Sequence, residues 1–253
     1  MPNKITQAVI LCAGLGTRLR PITDTIPKPM LPLLGKPLLL WNIEQFAKHG
    51  VKEFFINLHY RPDVIRDYFG DGLKKYFDYG FKWDIKVHYS IYYSHEPKLL
   101  GTAGGIKKFE NQLDNEFFLL YGDILSLVDY TKMSAAFHEK KDPIGMQRTE
   151  PTDSYADADV AELDKDMKFI KIHPKPHTEK YENVHRMRGV FILKKEILPL
   201  IPKDAFYEIG KELLPKVVAA GKNFYGYECG EYSKGIDTIE KIKEVENYLK
   251  SIN

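Results

Sequence analysis

Only two cysteines, Cys12 and Cys229, occur in the 253 residues. A disulfide framework is therefore excluded, and no Cys/His cluster has the spacing of a zinc site. Cys12 stands in an apolar stretch, which reads as a buried thiol rather than a disulfide or metal ligand. A dominant charge sign is also missing. The 37 Lys and Arg against 35 Asp and Glu leave a net charge of +2, so nucleic acid is not expected as a partner. No apolar run is long enough to span a bilayer, and the opening MPNKITQ has no apolar signal core. The expectation is a cytoplasmic protein with no membrane partner. Internal repeats and low-complexity segments are absent as well. His59, His88 and His95 share no ligand spacing and read as structural or surface residues.

What is present is concentrated near the start. The apolar, β-prone run Ile5 to Cys12 ends in Ala13-Gly14-Leu15-Gly16-Thr17-Arg18, and Pro27-Lys28-Pro29 follows. A strand thus feeds a glycine loop, where backbone N–H groups can approach an anion closely. Leu19 stands where a dinucleotide fingerprint needs its third glycine, and no Gly-Lys-Ser/Thr follows as in a P-loop. The two glycines alone would suit an ordinary strand-to-helix turn. Arg18, and Lys28 fixed between prolines, add full positive charges where a polyphosphate would lie.

Apolar runs alternate with helical patterns along the chain, the mark of an α/β architecture. Pro37 opens a helix carrying Leu39, Leu40, Ile43, Phe46 and Ala47, and Gly50 closes it. Phe54 to Leu58 reads as a buried strand, and Pro62 to Phe69 as a short helix ending at Gly70-Asp71-Gly72. A half-buried strand is expected over Ile85 to Ile91. A helix is expected after the loop Gly101 to Gly105, and a strand over Phe117 to Tyr121. Further on, strands are expected over Gly189 to Leu193 and Phe224 to Cys229. Glu208 to Ala220 reads as helical but disturbed at Pro215, and Thr238 to Lys250 as a final amphipathic helix. No linker divides the chain, so residues 1–253 read as one domain. Its first half covers about 1–130, and its second half about 131–253.

Gly14-Leu-Gly-Thr-Arg-Leu-Arg-Pro with Pro27-Lys-Pro-Met-Leu-Pro resembles the signature of the sugar-1-phosphate nucleotidylyltransferases. Leu100-Gly-Thr-Ala-Gly-Gly-Ile, Gly122-Asp123 and Arg188-Gly-Val-Phe-Ile-Leu resemble later motifs of that family, in the same order. Asn57-Leu-His-Tyr-Arg-Pro-Asp, Asp67-Tyr-Phe-Gly-Asp-Gly and Phe169-Ile-Lys-Ile-His-Pro-Lys-Pro-His are most similar to its mannose- and heptose-phosphate guanylyltransferase branch. The resemblance implies the nucleotide-diphospho-sugar transferase fold, a Rossmann-like three-layer α/β sandwich with a mixed, mostly parallel sheet. It implies a nucleoside triphosphate and a sugar 1-phosphate as partners and Mg²⁺ as cofactor. Uridylyl, thymidylyl or cytidylyl transfer stays open beside guanylyl transfer, as do transfer to a non-sugar phosphate, a non-catalytic binding module and self-association into a homo-oligomer.

Such a reaction needs two anions aligned and their charge neutralised. The resemblance assigns Arg18 to the outgoing phosphates and Lys28 to the α-phosphate. It assigns nucleotide contacts to Leu11, Ala13, Gly14, Leu15, Gly16, Thr17, Gly101, Thr102 and Gly122. Gly101 and Thr102 are expected beside the base. Lys175 is expected against the sugar phosphate, with Glu162, Asn183, Arg188 and Gly189 as further sugar-side candidates. Pro174 stands where the family's usual acidic residue precedes that lysine. Asp123, directly after an apolar strand, reads as a Mg²⁺ ligand or as a turn or cap residue. The family's Asp-x-Gly-Thr appears here as Gly235-Ile-Asp237-Thr238, so Asp237 reads as a second metal ligand or as a helix cap.

Overall fold

The computed structural model describes residues 4–70, 75–76 and 88–252, with only the backbone described at 75–76 and at His88. Two compact units are formed, each from separate stretches of the chain.

One unit comprises the described parts of Ile5–Leu99, Leu120–Tyr130 and Glu231–Asn253. Its strand Gln7–Leu11 runs parallel to Glu53–Leu58, in register from Gln7↔Glu53 to Leu11↔Asn57. Glu53–Leu58 in turn runs parallel to His88–His95. Positions 85–87 of the expected strand, and Asp71-Gly72, lie outside the described residues. Parallel pairing brings the carboxyl ends of these strands, at Leu11, Leu58 and His95, to one edge. That is where open α/β sheets collect ligands.

The helix Leu38–Lys48 follows Pro37 as expected and buries Leu38, Leu39, Leu40, Ile43, Phe46 and Ala47. Each large apolar side chain so buried contributes about 1.5–3 kcal/mol. Gly50, at φ +93°, ends it by donating its N–H to the Ala47 carbonyl (2.9 Å). The helix Pro62–Phe69 has the expected bounds, with Pro in its first turn, where a missing N–H costs nothing.

Ile124–Ser126 pairs antiparallel with Ser233–Gly235, Gly235 facing Ile124, and the Ile236 N–H donates to the Asp123 carbonyl (2.8 Å). Leu19, Leu31, Leu33, Leu38, Leu125, Ile236, Val245 and Leu249 pack together into one buried cluster. Three of these flank candidate site residues: Leu19 follows Arg18, Leu125 lies two beyond Asp123, and Ile236 precedes Asp237. The core thereby fixes the backbone from which the charged side chains project.

The other unit comprises the described parts of Met1–Lys4, Leu100–Leu119 and Thr131–Gly230. Here Val160–Leu163 pairs antiparallel with both Phe169–His173 and His185–Lys194. His185–Lys194 pairs antiparallel with Gly145–Pro151, which takes Phe224–Tyr227 in parallel. Parallel and antiparallel ladders with helices make up the mixed sheet of the expected α/β class. The disturbance expected at Pro215 appears as a π-helical turn, Ile209–Leu213, before the α-helix Leu214–Ala219. Proline lacks the N–H that a regular helix needs there.

One expectation is corrected. Gly101 to Gly105 do not form a loop ahead of a helix, because the helix Gly101–Lys107 contains them. Among the described residues, no helix is long and apolar enough to cross a membrane.

Candidate active site

The backbone leaves the strand Gln7–Leu11 under tight control. The Cys12 N–H donates to Asn57 Oδ1 (2.8 Å), and the Asn57 amide donates to the Glu96 carboxylate (2.7 Å). Asn57 and Glu96 are both buried. The Gly122 N–H donates to the Leu11 carbonyl (2.9 Å), and a Cβ at 122 would stand 2.6 Å from that oxygen. Gly122 is thus required by the protein itself.

So is Gly16. Its φ is +69°, and a Cβ there would meet Lys28 Cγ at 3.1 Å. Gly14 differs: its φ is not positive, and nothing lies within 4 Å of where its Cβ would be. No neighbour accounts for that glycine, which leaves an open backbone face at the loop.

Three cations meet two carboxylates here. Lys28 begins the 3₁₀ turn Lys28–Met30 between Pro27 and Pro29 and is buried. Its Nζ lies 3.4 Å from Asp123 Oδ2. Arg18 lies on the 3₁₀ turn Thr17–Leu19 and is largely exposed, yet its guanidinium donates to Asp237 Oδ2 at 2.5 Å. Lys241 donates to the other Asp237 oxygen, also at 2.5 Å.

Burial pulls the Asp237 carboxyl upward. The hydrogen bond from Lys241 and the charges of Arg18, Lys241 and Lys28 outweigh it and hold the group below its ordinary value. Lys28 therefore acts on both Asp123 and Asp237, and Arg18, Lys28, Lys241, Asp123 and Asp237 form one electrostatic cluster. Burial, reinforced by the charge of Asp123, pushes the Cys12 thiol far up, so it is inert at neutral pH.

The cap question at the last helix is answered by the neighbour. Thr238 Oγ1 accepts the Lys241 N–H (3.3 Å) at the start of Ile239–Ile252, while both Asp237 oxygens are taken by cations. Asp237 is not the cap.

Asp123 and Asp237 suit Mg²⁺ as donors. It is a hard cation that uses one or two carboxylates and completes its shell with phosphates and water. Among the described residues, no group of three or more His, Cys, Asp or Glu that could hold a metal occurs.

In the other unit the glycines of Gly101–Lys107 are filled by protein. A Cβ at Gly101, where φ is +72°, would stand 2.6 Å from the Tyr207 carbonyl oxygen. A Cβ at Gly104 would stand equally close to that of Ala205, and Thr102 Oγ1 accepts the Ile209 N–H (2.8 Å). The missing Cβ at Gly101, a residue expected beside the base, is accounted for by the Tyr207 backbone, which a side chain there would strike.

Glu162 pairs with His173 (2.7 Å), whose ring stacks on Tyr181 at 3.7 Å. Lys175 donates its Nζ to the Asp157 carbonyl (2.9 Å) and its N–H to Asp159 Oδ1 (3.0 Å). A carboxylate thus lies at the Lys175 main chain, although position 174 holds a proline. Asn183 has φ +54°, a left-handed conformation that Asn tolerates, so its identity needs no ligand. Arg188 pairs with Glu150, and the carbonyl of Arg188, which precedes Gly189, accepts from Gln147 Nε2 (2.8 Å). Burial raises the Glu150 carboxyl, but Arg188, Arg148 and Arg186 outweigh it and hold it low.

Comparison with known proteins shows the family. The Nucleotidyl transferase family model matches residues 7–233. The UTP–glucose-1-phosphate uridylyltransferase of Synechocystis is 33% identical over 94% of the chain and 63% of that protein. The D-glycero-alpha-D-manno-heptose 1-phosphate guanylyltransferase of Campylobacter jejuni is 32% identical over 87% of the chain and 92% of that protein. The chain thus spans under two thirds of one of these relatives and nearly all of the other. In fold it matches the crystal structure of HddC from Yersinia pseudotuberculosis complexed with GMP-PN, with a TM-score of 0.74 at 24% identity, over 97% of this chain and 100% of that one. The glycine loop at the end of the first strand, its two cations and the carboxylates that meet them belong to a member of the nucleotidyl transferase family.

Proposed function

We propose that the chain transfers a nucleotidyl group from a nucleoside triphosphate to a sugar 1-phosphate, giving a nucleoside-diphosphate sugar and pyrophosphate. The preferred pair is GTP with mannose- or heptose-1-phosphate. The observation that carries the reading is the convergence of Arg18, Lys28, Asp123 and Asp237 beside an open glycine at the carboxyl edge of parallel strands. A binding module without turnover has no need of a buried lysine aimed at a carboxylate in such a place.

In this reading a phosphate oxygen of the sugar phosphate attacks the α-phosphorus, and the bond to the β-phosphate oxygen breaks. Lys28 acts at the α-phosphate. Its stem is packed against Gly16, so its charge is already in position and little reorganisation accompanies the reaction. Arg18, exposed at the loop, takes the outgoing β- and γ-phosphates as pyrophosphate forms. The backbone from Leu11 to Gly14 meets the base, held in place by Asn57 and Glu96. Lys175, Glu162 and Arg188 serve the sugar phosphate. Asp123 and Asp237 would hold Mg²⁺, which supplies charge neutralisation between the two phosphates.

Guanine is favoured by the stretches Asn57 to Asp63 and Phe169 to His177, and by the guanylyltransferase relative of nearly equal length. Uridylyl transfer is the second reading, favoured by the 33% identical uridylyltransferase. A site that consumes nucleoside triphosphates fits the cytoplasm. Pyrophosphate release, measured for four nucleoside triphosphates against a panel of sugar 1-phosphates, tests both. Highest kcat/KM with GTP and a mannose or heptose 1-phosphate is expected. No release with any pair would refute the reading.

A further inference from the structure

Both oxygens of Asp237 are occupied by cations of the protein itself, Oδ2 by Arg18 and Oδ1 by Lys241, each at 2.5 Å. The two holders differ in kind. Lys241 lies one turn along the helix Ile239–Ile252, so it and Asp237 belong to one rigid local element whose start Thr238 caps. Arg18 comes from a distant loop, and its side chain is 64% exposed. Leu19 beside it is pinned in the core, which fixes the turn but leaves the guanidinium able to swing.

At the other pair the exposure is reversed, with Lys28 at 9% and Asp123 at 39%. Lys28 is therefore built in, whereas Arg18 is parked. A guanidinium nitrogen held on Asp237 has only one N–H left for the outer phosphates of a nucleotide, so the pair costs Arg18 a donor it would use there. An ion pair with so exposed a partner holds weakly, so a polyanion outcompetes it readily.

We propose that Arg18–Asp237 is a resting pair that an incoming triphosphate breaks. Arg18 moves to the phosphates, Asp237 Oδ2 is released to the divalent cation, and Lys241 acts as a positioning residue that keeps the carboxylate in place through Oδ1. This rests on the reading of Asp237 as a metal ligand. Its consequence is a definite order: the protein takes a bare divalent cation poorly, because the cation must displace Arg18 from the shared oxygen. Nucleotide binding removes that competitor. Removing Arg18 should therefore improve the binding of bare metal, the opposite of what loss of a substrate-binding arginine does to turnover.

The test uses the full chain without nucleotide and Mn²⁺ alone as probe, with free Mn²⁺ followed by its electron paramagnetic resonance signal. Wild type, Arg18→Gln, Asp237→Asn and the double variant are compared after thermal melts show each to be folded. Arg18→Gln should bind Mn²⁺ about threefold to fivefold more tightly than wild type, the range that an exposed pair allows. Asp237→Asn should bind more weakly, and in that background Arg18→Gln should give no gain, because the shared oxygen is gone. Unchanged or weaker binding in Arg18→Gln would overturn the proposal while leaving Asp237 a ligand. A gain that persists beside Asp237→Asn would also overturn it, since the effect would then be the general field of one lost charge. Unchanged binding in Asp237→Asn alone would remove Asp237 from the metal site and the proposal with it.

Discussion

Lys28 Nζ stands 3.4 Å from the Asp123 carboxylate, and the lysine is the buried partner of the two. Its stem lies against the place where a Cβ at Gly16 would be. Lys28→Met keeps that packing and removes the charge, and it leaves Asp123 free to hydrate. We expect a melting temperature close to wild type and a kcat lower by roughly two orders of magnitude or more. Steady-state kinetics beside a thermal melt check this. A folded Lys28→Met variant with normal kcat would take Lys28 out of the chemistry.

The two glycines of the loop should separate under mutation. Gly16→Ala forces a side chain into a left-handed backbone against Lys28 and Thr23, and should cost about 1 kcal/mol or more of stability. Gly14→Ala meets nothing in the protein, so its melting temperature should stay near that of wild type. Its nucleotide KM should rise while the sugar phosphate KM does not. Equal shifts in both constants would mean that the open face at Gly14 is not where the nucleotide lies.

Asp237 and Thr238 are neighbours with different duties. Thr238→Ala removes the helix cap and should lower stability by about 1 kcal/mol, with Mg²⁺ dependence unchanged. Asp237→Asn should leave the cap intact and raise the Mg²⁺ concentration needed for half-maximal turnover. Denaturant melts and Mg²⁺ titrations of the two variants give the comparison. An unchanged Mg²⁺ requirement in Asp237→Asn would leave Asp123 as the sole protein carboxylate on the ion.

Glu150 is held low by Arg188, Arg148 and Arg186, against the upward pull of burial. A depressed carboxyl stabilises the fold fully above its unfolded value, about 4.3, and loses that contribution as pH falls through the lower folded value. Between neutral pH and the acid side of that window, wild type should lose more melting temperature than Glu150→Gln does. Parallel pH profiles of the two would show the pair to be energetically silent.

The architecture was legible wherever periodicity and punctuation agreed. Pro37 and Gly50 bracket one helix, and Pro62 and Gly70 bracket another, because proline and glycine act on the local backbone alone. Arg18, Lys28 and Asp123 could be read as candidates because each follows an apolar strand or stands between prolines. Lys241 was not legible, since a lysine on an amphipathic helix looks solvated until the fold brings Asp237 and Arg18 together. Asn57 and Glu96 were hidden for a similar reason: one ends an apolar run and the other follows a strand, and only the strand pairing shows that they hold the Cys12 N–H. Gly101 misled in the other direction. Its missing Cβ answers to the Tyr207 carbonyl, a contact 106 residues away that no local pattern contains.

The transferred group distinguishes nucleotidyl transfer to a sugar 1-phosphate from kinase or hydrolase chemistry at the same cluster. The most direct measurement follows two labels, one at the α-phosphorus and one at the γ-phosphorus of the triphosphate, with Mg²⁺ and the preferred sugar 1-phosphate present. The α label should appear in the sugar nucleotide and the γ label in pyrophosphate, and Lys28→Met should slow both equally. Appearance of the γ label in the sugar phosphate, or of the α label as free nucleoside monophosphate, would contradict it.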